Sequence, residues 1–206
     1  DWIEVYLDDG RYIDTDILVN ALGVAARTDF LSGTNIKINK GVLVDNRMRT
    51  NIEGIYAAGD VAEAPDFFTY FPAINAILPS AVKQGKIAGA NMAGEDNEYE
   101  GDISMNVFNF LGNKAISMGV TSSRCNDIQM MQEEDKQKNS FKKLAFKNSR
   151  FVGVNLLNID VDPGILLYLI KNRVEIDSCK DKLFEKPGDT SRWLMLQNEK
   201  GETATK

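Results

Sequence analysis

The residues best placed to do chemistry stand in one short run, Ile55-Tyr56-Ala57-Ala58-Gly59-Asp60. The apolar part reads as a buried strand, and it delivers an aspartate at its carboxyl end, where open α/β sheets bind ligands. The glycine just before the aspartate lets a ligand approach the main chain closely. A carboxylate there can accept hydrogen bonds from sugar-like hydroxyls. Further on, Leu78-Pro79-Ser80 reads as a helix start. Its unpaired N–H groups and positive dipole end suit a phosphate, or negative charge developing on a ring. Taken alone, Gly59-Asp60 is only a turn; the whole segment changes that reading.

Several other chemistries are excluded by composition. The 206 residues include no histidine. That removes Ser-His-Asp triads, Cys-His dyads, histidine general bases and HExxH zinc sites. The 2 cysteines cannot ligate an iron–sulfur cluster or a four-cysteine zinc. Cys125 and Cys179 form no CxxC motif; a disulfide between them competes with the preferred reading, two reduced thiols in a cytoplasmic protein. A net charge of −6 argues against nucleic acid as the main partner. No apolar run approaches the roughly 18 residues of a membrane span, and acids throughout residues 1–20 argue against a signal peptide. The chain opens on Asp1 in a strand-like pattern, which suggests a fragment of a longer protein.

The elements that must position the Tyr56–Asp60 run divide by charge near residue 100. Residues 1–100 carry 8 basic and 16 acidic side chains, a net −8, and residues 101–206 carry 16 and 14, a net +2. The polar stretch 94–101 reads as a linker. In the first half, 2–7 and 11–13 form a hairpin around Asp8-Asp9-Gly10. The run 17–22 reads as a strand buried on both faces, and 36–38 with 42–44 as a hairpin around Asn39-Lys40-Gly41. A helix opens at Pro79 with Ala81, Val82, Ile87, Ala88 and Met92 as its packed face; Gly85 and Gly89 would let it approach a sheet. In the second half, 105–111, 115–120, 128–131, 141–147 and 151–157 read as an antiparallel set, with 133–143 a solvated loop. Asp162-Pro163 starts a helix running through Val174. Strands followed by a packing helix indicate a small α+β domain.

The stretch Thr50 to Asp60 resembles the second FAD-binding motif of the flavin-dependent pyridine nucleotide oxidoreductases: a threonine, a short spacer, then aromatic-Ala-x-Gly-Asp. Thr50, Tyr56, Ala57, Gly59 and Asp60 fit it. Residues 16–23 look like the strand that leaves the NAD(P)H domain and re-enters the FAD domain, 41–45 like the strands before the motif, and 79–94 like the helix after it. The resemblance covers about residues 1–95. The second half is similar to the C-terminal interface domain, nearest the rubredoxin reductase, NADH oxidase and nitrite reductase large-subunit branch.

The resemblance implies an α/β plus α+β chain: a partial Rossmann-like FAD-binding domain, then a small antiparallel-sheet interface domain with a packing helix. Its boundaries would be 1–20 for the end of the NAD(P)H-binding domain, 21–97 for the C-terminal portion of the FAD domain and 101–206 for the interface domain. It implies that Asp60 bonds the ribityl chain of FAD, and that Gly59 and Val61 place main chain beside the ribityl and pyrophosphate. Leu78, Ser80 and Ala81 would face the flavin N1 and O2 edge, with Gly23 near the cofactor at the domain crossover. The family's two GxGxxG turns are absent, the closest glycines being Gly85 and Gly89, so the pyrophosphate and adenosine pockets would lie upstream. The branch resembling glutathione reductase uses a C-terminal histidine, which this chain lacks.

The implied activity is electron transfer from NAD(P)H through FAD to an electron carrier or other acceptor, with no metal, the isolated chain being inactive. The implied partners are the missing N-terminal FAD/NAD(P)H portion, an electron-carrier protein and a second copy in a homodimer. The alternative is a non-catalytic module for dimerisation or redox-partner docking. A stand-alone nucleotide-binding protein is the weakest reading. The aromatic run Phe67-Phe68, Tyr70, Phe71 reads as a packed loop before a flavin cover or partner contact. Phe108 and Phe110 with Leu111 read as a buried strand face or, more sharply, a dimer contact. Lys83 and Lys86 read as solvated helix residues before an attraction for an anion near the cofactor. Residues 185–193 read as a docking tail or an ordinary turn.

Overall fold

The computed structural model describes residues 2–122 and 127–201. Cys125, and with it the question of a Cys125–Cys179 bond, lies outside the described residues; Cys179 is buried.

The chain opens with the expected hairpin, β1 (Ile3–Tyr6) antiparallel to β2 (Tyr12–Thr15). Asp9 closes the turn by accepting from the Arg11 N–H and guanidinium. The following apolar run is not the doubly buried strand expected from its composition. Val19 is 80% exposed and Leu22 92%. The physical reason is pairing: a strand needs neighbours for its backbone groups, and no described strand runs beside 17–22.

Three short strands follow. β3 (Val42–Leu43) runs parallel to β4 (Ala62–Pro65), which pairs antiparallel with β5 (Pro72–Ala73). The hairpin expected over 36–44 shrinks to one bridge, Ile38 to Val42, and the strand expected over 55–58 to one bridge, Tyr56 to Arg49. α1 (Leu78–Met92) begins with Pro79 in its first turn, as the sequence predicts. Its buried face differs from the apolar one expected. Ser80, Gln84, Ala88 and Asn91 are buried, whereas Val82 and Met92 are exposed. Spacings of four, four and three put those four residues on one side. Gly85 and Gly89 face open space, so neither provides a close approach. Val42, Met48, Ala62, Ala64, Ala88 and Tyr99 form the small core here.

The second half is a five-stranded antiparallel sheet in the order β6-β7-β10-β9-β8. Its strands are β6 (Met105–Phe110), β7 (Asn113–Gly119), β8 (Gln129–Asp135), β9 (Ser140–Lys147) and β10 (Arg150–Leu157). The expected solvated loop 133–143 is instead the tip of the β8–β9 hairpin. Its charges pair across the ladder, Glu133 opposite Lys142 with an ion pair of 2.6 Å. Gly153 stands opposite Gly119, and a Cβ on it would lie 1.9 Å from the Val120 carbonyl oxygen, so the strands close only on glycine.

α2 (Pro163–Lys171) is capped by the Asp162 carboxylate, which accepts from the Gly164 N–H at 2.7 Å. It ends before Val174, which packs in the core from the turn beyond. α3 (Lys180–Glu185) and α4 (Pro187–Glu199) replace the expected tail or turn. Leu166, Leu169, Ile170, Leu183 and Leu194 join the sheet's apolar face in one core.

The expected buried face of Phe108 and Phe110 is also corrected. β6 is an edge strand, its two rings stack at 5.7 Å, and both are exposed, with Leu111 beyond them. The stretch 94–101 is packed rather than a free linker: Tyr99 is buried in the first core, and Gly101 lies against the backbone of Phe67. Phe67 in turn belongs to the second core.

Candidate functional site

The Gly59–Asp60 turn is a single 3-10 turn, Gly59–Val61, leading into β4. Ala58 is extended, and Gly59 then reverses the chain with φ +80°. A side chain at that φ is strained, and a Cβ would also touch the Ala81 methyl at 3.5 Å. The Gly59 N–H donates to the buried Gln84 Oε1 at 2.8 Å. The amide bond therefore holds the turn in a conformation that glycine permits, and Asp60 projects from it exposed to solvent.

Asp60 and Val61 form one wall of an open cleft of about 1010 Å³. Residues 24–27 and Phe30 form another wall, Lys40 closes one side, and Ile74 and Ala76 lead to the start of α1. Gly23 precedes this wall with φ +89° and makes no part of the lining. The α1 ladder starts at Ala81, whose N–H donates to the Ile77 carbonyl at 3.1 Å. Ala81 thus contributes its methyl rather than a donor, and the N–H groups of Leu78 and Ser80 precede the ladder. The Ser80 side chain is fully buried. Its hydroxyl donates to Asp102 and accepts from the Asn75 amide, both at 2.9 Å. It ties the two halves together. Leu78 is exposed.

Arg27, Phe30, Lys40, Ile74 and Ala76 were not singled out by sequence reasoning. Nor was Glu63, which organises Lys40. Glu63 is buried, and its carboxylate accepts from the N–H groups of Lys40 and Gly41 and from the Asn39 amide, at 3.0 to 3.1 Å. The available signal was an acid inside an otherwise small apolar run, Ala62-Glu63-Ala64. A buried carboxylate needs several donors, and the Asn39-Lys40-Gly41 turn supplies them.

The other features divide. Phe67 is buried, whereas Tyr70 and Phe71 are exposed, and the Tyr70 hydroxyl accepts from Arg173 at 2.7 Å. Lys83 is held by the structure: its ammonium donates to the Gly101 carbonyl at 3.0 Å and stands over the Tyr99 ring. Lys86 is exposed, as expected. No helix among the described residues is long and apolar enough to cross a membrane.

The donor set suits a ligand with a polyol, phosphates and a flat ring. Asp60 accepts from hydroxyls, Arg27 and Lys40 carry charge for phosphate, and Val24, Ile74 and Ala76 offer an apolar wall. FAD has those three parts, so the residues present fit it. Comparison with known proteins points the same way. Over 193 residues the chain is 31% identical to the NADH-dependent phenylglyoxylate dehydrogenase subunit epsilon of Aromatoleum evansii, covering 93% of this chain and 46% of that one. It is 35% identical over 128 residues to the NADH-rubredoxin oxidoreductase of Clostridium acetobutylicum, covering 62% of this chain and 32% of the relative. A NAD-dependent persulfide reductase from A. fulgidus shares the fold, with a TM-score of 0.74 at 23% identity, over 86% of this chain and 36% of that one. The chain therefore spans half or less of the length of these relatives. Residues 1–96 match the family model described as pyridine nucleotide-disulphide oxidoreductase. Through that segment, the chain is similar to the pyridine nucleotide-disulphide oxidoreductase family.

Proposed function

We propose that the chain is the C-terminal part of a flavin-dependent oxidoreductase that passes electrons from NAD(P)H through FAD to an electron carrier or other acceptor. The observation that carries this reading is the restrained Gly59–Val61 turn presenting Asp60 to a cleft that also holds Arg27 and Lys40. When bound, FAD supplies the redox chemistry, taking a hydride from NAD(P)H and releasing electrons to the acceptor. In this reading, Asp60 accepts hydrogen bonds from the ribityl hydroxyls and fixes the chain's register. The main chain at Gly59 and Val61 lies beside the ribityl and pyrophosphate. The Leu78 N–H would face the ring's N1 and O2 edge, the fully buried Ser80 would anchor that helix start through Asn75 and Asp102, Ala81 packs the turn against α1, and Gly23 marks the domain crossover.

The remaining FAD and NAD(P)H portion would cover the exposed run 17–24, ending the exposure of Val19 and Leu22. Residues 1–20 would then close the NAD(P)H domain, 21–97 complete the FAD domain, and 101–206 form the interface domain. The chain's coverage of 46% and 32% of two relatives supports a further portion beyond these residues. An electron-carrier acceptor is in keeping with the name of the rubredoxin oxidoreductase relative, and the setting is cytoplasmic.

The test is spectroscopic. The purified chain should show no stoichiometric flavin absorbance, whereas the polypeptide extended upstream of Asp1 to its start codon should be yellow. Asp60→Ala in the extended form should weaken FAD binding by roughly 10- to 100-fold, the worth of hydrogen bonds to a charged group. A colourless extended polypeptide overturns the reading.

A second reading, a module that dimerises through its second half, is favoured by β6. Natural sheet edges are usually guarded by charge. β8 ends in Glu133, Glu134 and Asp135, whereas 103–113 carries no charge and exposes Val107, Phe108, Phe110 and Leu111. A second copy in antiparallel register about a two-fold axis at Asn109 would set Asn109 against Asn109, Phe108 against Phe110 and Val107 against Leu111, amide on amide and apolar on apolar. Light scattering should give a dimer that Phe108→Lys dissociates; a strict monomer sinks this reading.

A further inference from the structure

Gln84 has a place in the molecule that the cofactor-binding motif does not require. It is 2% exposed and lies mid-way along α1, yet both ends of its amide are engaged outside the helix. The Gly59 N–H must find an acceptor, which assigns Oε1 to it at 2.8 Å. Nε2 is then left to donate to the Tyr99 hydroxyl at 3.3 Å. Tyr99 belongs to the segment joining the two halves, is itself 3% exposed, and is held from outside by Lys83 over its ring. Lys83 also bonds the Gly101 carbonyl, and Gly101 is pressed against the backbone of Phe67.

We infer that Gln84, oriented by Tyr99, is the positioning residue for the Gly59–Asp60 turn, and that the segment between the halves thereby sets how Asp60 is presented to the cofactor. The geometry leaves the turn few other restraints. Gly59 has the φ that only glycine adopts easily, so its conformation is permitted rather than enforced by its own side chain. The amide bond from Gln84 selects one conformation out of that freedom. Without the acceptor, the Gly59 N–H is left unpaired against α1, and the turn must open to find water. The Tyr99 hydroxyl anchors the far end of the amide, and the Gly59 N–H sets its sense, because a flipped amide would put its NH₂ against that N–H. The restraint on the turn stands on the chain's own contacts; its consequence for FAD rests on the function proposed above.

Two measurements separate these parts. In the chain itself, amide hydrogen exchange read by NMR reports the Gly59 N–H directly. Gln84→Met keeps the length and removes the acceptor, and Gly59 exchange should rise at least tenfold while β9 and β10 keep their protection. Gln84→Glu keeps an acceptor, the Tyr99 hydroxyl can turn to donate to it, and Gly59 protection should return to within about threefold of wild type. Tyr99→Phe keeps the packed ring and should give an intermediate rise. Unchanged Gly59 exchange in both Gln84→Met and Tyr99→Phe overturns the restraint, and Tyr99→Phe decides the matter if Gln84→Met does not fold. In the polypeptide extended to its start codon, FAD titration should show Gln84→Met binding at least tenfold more weakly and Gln84→Glu restored. Unchanged FAD affinity in a Gln84→Met protein whose Gly59 exchange has risen overturns the positioning role. Failure of the wild-type extended form to take FAD overturns the functional reading instead, and the exchange experiment still decides the restraint.

Discussion

The two halves of this molecule hold themselves together by different means. The second half closes an apolar core: the inner face of a five-stranded sheet meets α2, α3 and α4 through Phe146, Phe151, Leu166, Leu169, Leu183 and Leu194. The first half has a thin core, mostly alanine and valine around Met48 and Tyr99, and buried polar side chains bind it together. Glu63 holds the 39–41 turn, Gln84 holds Gly59, and Asn91 bonds the Arg47 and Asn97 carbonyls and the Asn97 N–H. At the same time it leaves large apolar side chains open along 17–24. The contrast teaches where each half finds its stability. Apolar packing is non-directional and tolerates neighbours that change, whereas a polar bond fixes one geometry. The half that carries the candidate site is the one built from directional bonds.

The contrast is broken most directly in the second core. Leu169 is fully buried, and Leu169→Ala should cost about 2–5 kcal/mol through lost burial and a residual cavity. Denaturant unfolding followed at Trp193 on α4 measures it. The expected result is an earlier transition at Trp193 with Gly59 amide protection retained. Equal loss of protection in both halves would show one cooperative unit, and the contrast would then describe chemistry but not stability.

A comparable cut in the first half is polar. Glu63→Leu leaves the N–H groups of Lys40 and Gly41 without their acceptor, at a cost of about 2–3 kcal/mol. The loss should appear as faster exchange at Lys40 and Gly41 while Trp193 reports an unchanged second half. A neutral Glu63→Leu would mean that packing alone holds this half too.

These two sites also show how legible the molecule was. Alternation and turn chemistry disclosed the second sheet, since each strand needs only its period of two and a tight turn such as Asn148-Ser149, both left-handed here. α4 escaped because Pro187-Gly188-Asp189 has turn composition; only tertiary packing of Leu194 shows that the proline opens a helix. The β8–β9 tip escaped because Glu133 and Lys142 look solvated until paired. In the first half, Asp60 and the start of α1 were readable from local sequence. The buried face of α1 was not, because apolar periodicity cannot register Ser80, Gln84 and Asn91, whose burial depends on partners far along the chain. Lys40 and Arg27 reach the cleft only through the fold.

Acid sharpens the contrast further. Partial burial pushes the Asp45 carboxyl up, but the Arg49 and Arg47 N–H groups and the Arg49 guanidinium outweigh it and hold it below its ordinary 3.8. A carboxyl depressed on folding contributes stability that is fully present above its unfolded pKa and is lost as pH falls through its folded one. The first half should therefore lose stability below about pH 4. Asp45→Asn should flatten that loss with little effect at pH 7 beyond a constant offset. Tyr99 gives the opposite limb: burial raises its phenol above 10.0, so its contribution is present below that value and lost as pH rises through the folded pKa. Thermal melts of the wild type and Asp45→Asn between pH 3 and 7 read the first limb. An unchanged slope removes Asp45 from the account.

The smallest expected effect tests what the open apolar run is for. Leu22 is 92% exposed, so Leu22→Ser in this chain should change stability by less than about 0.5 kcal/mol. If 17–22 becomes a strand buried between neighbours in the polypeptide extended upstream, the same substitution there should cost about 1.5–3 kcal/mol, the worth of burying a leucine side chain. The comparison between the two polypeptides carries the information, because the substitution and its local sequence are identical in both. A large cost only in the extended form makes the run a core strand awaiting its neighbours, and makes the first half's reliance on polar bonds a property of this chain alone. An equally small cost in both would mean that the run is surface in each, and that the polar bonds of Glu63, Gln84 and Asn91 are the half's permanent means of holding its shape.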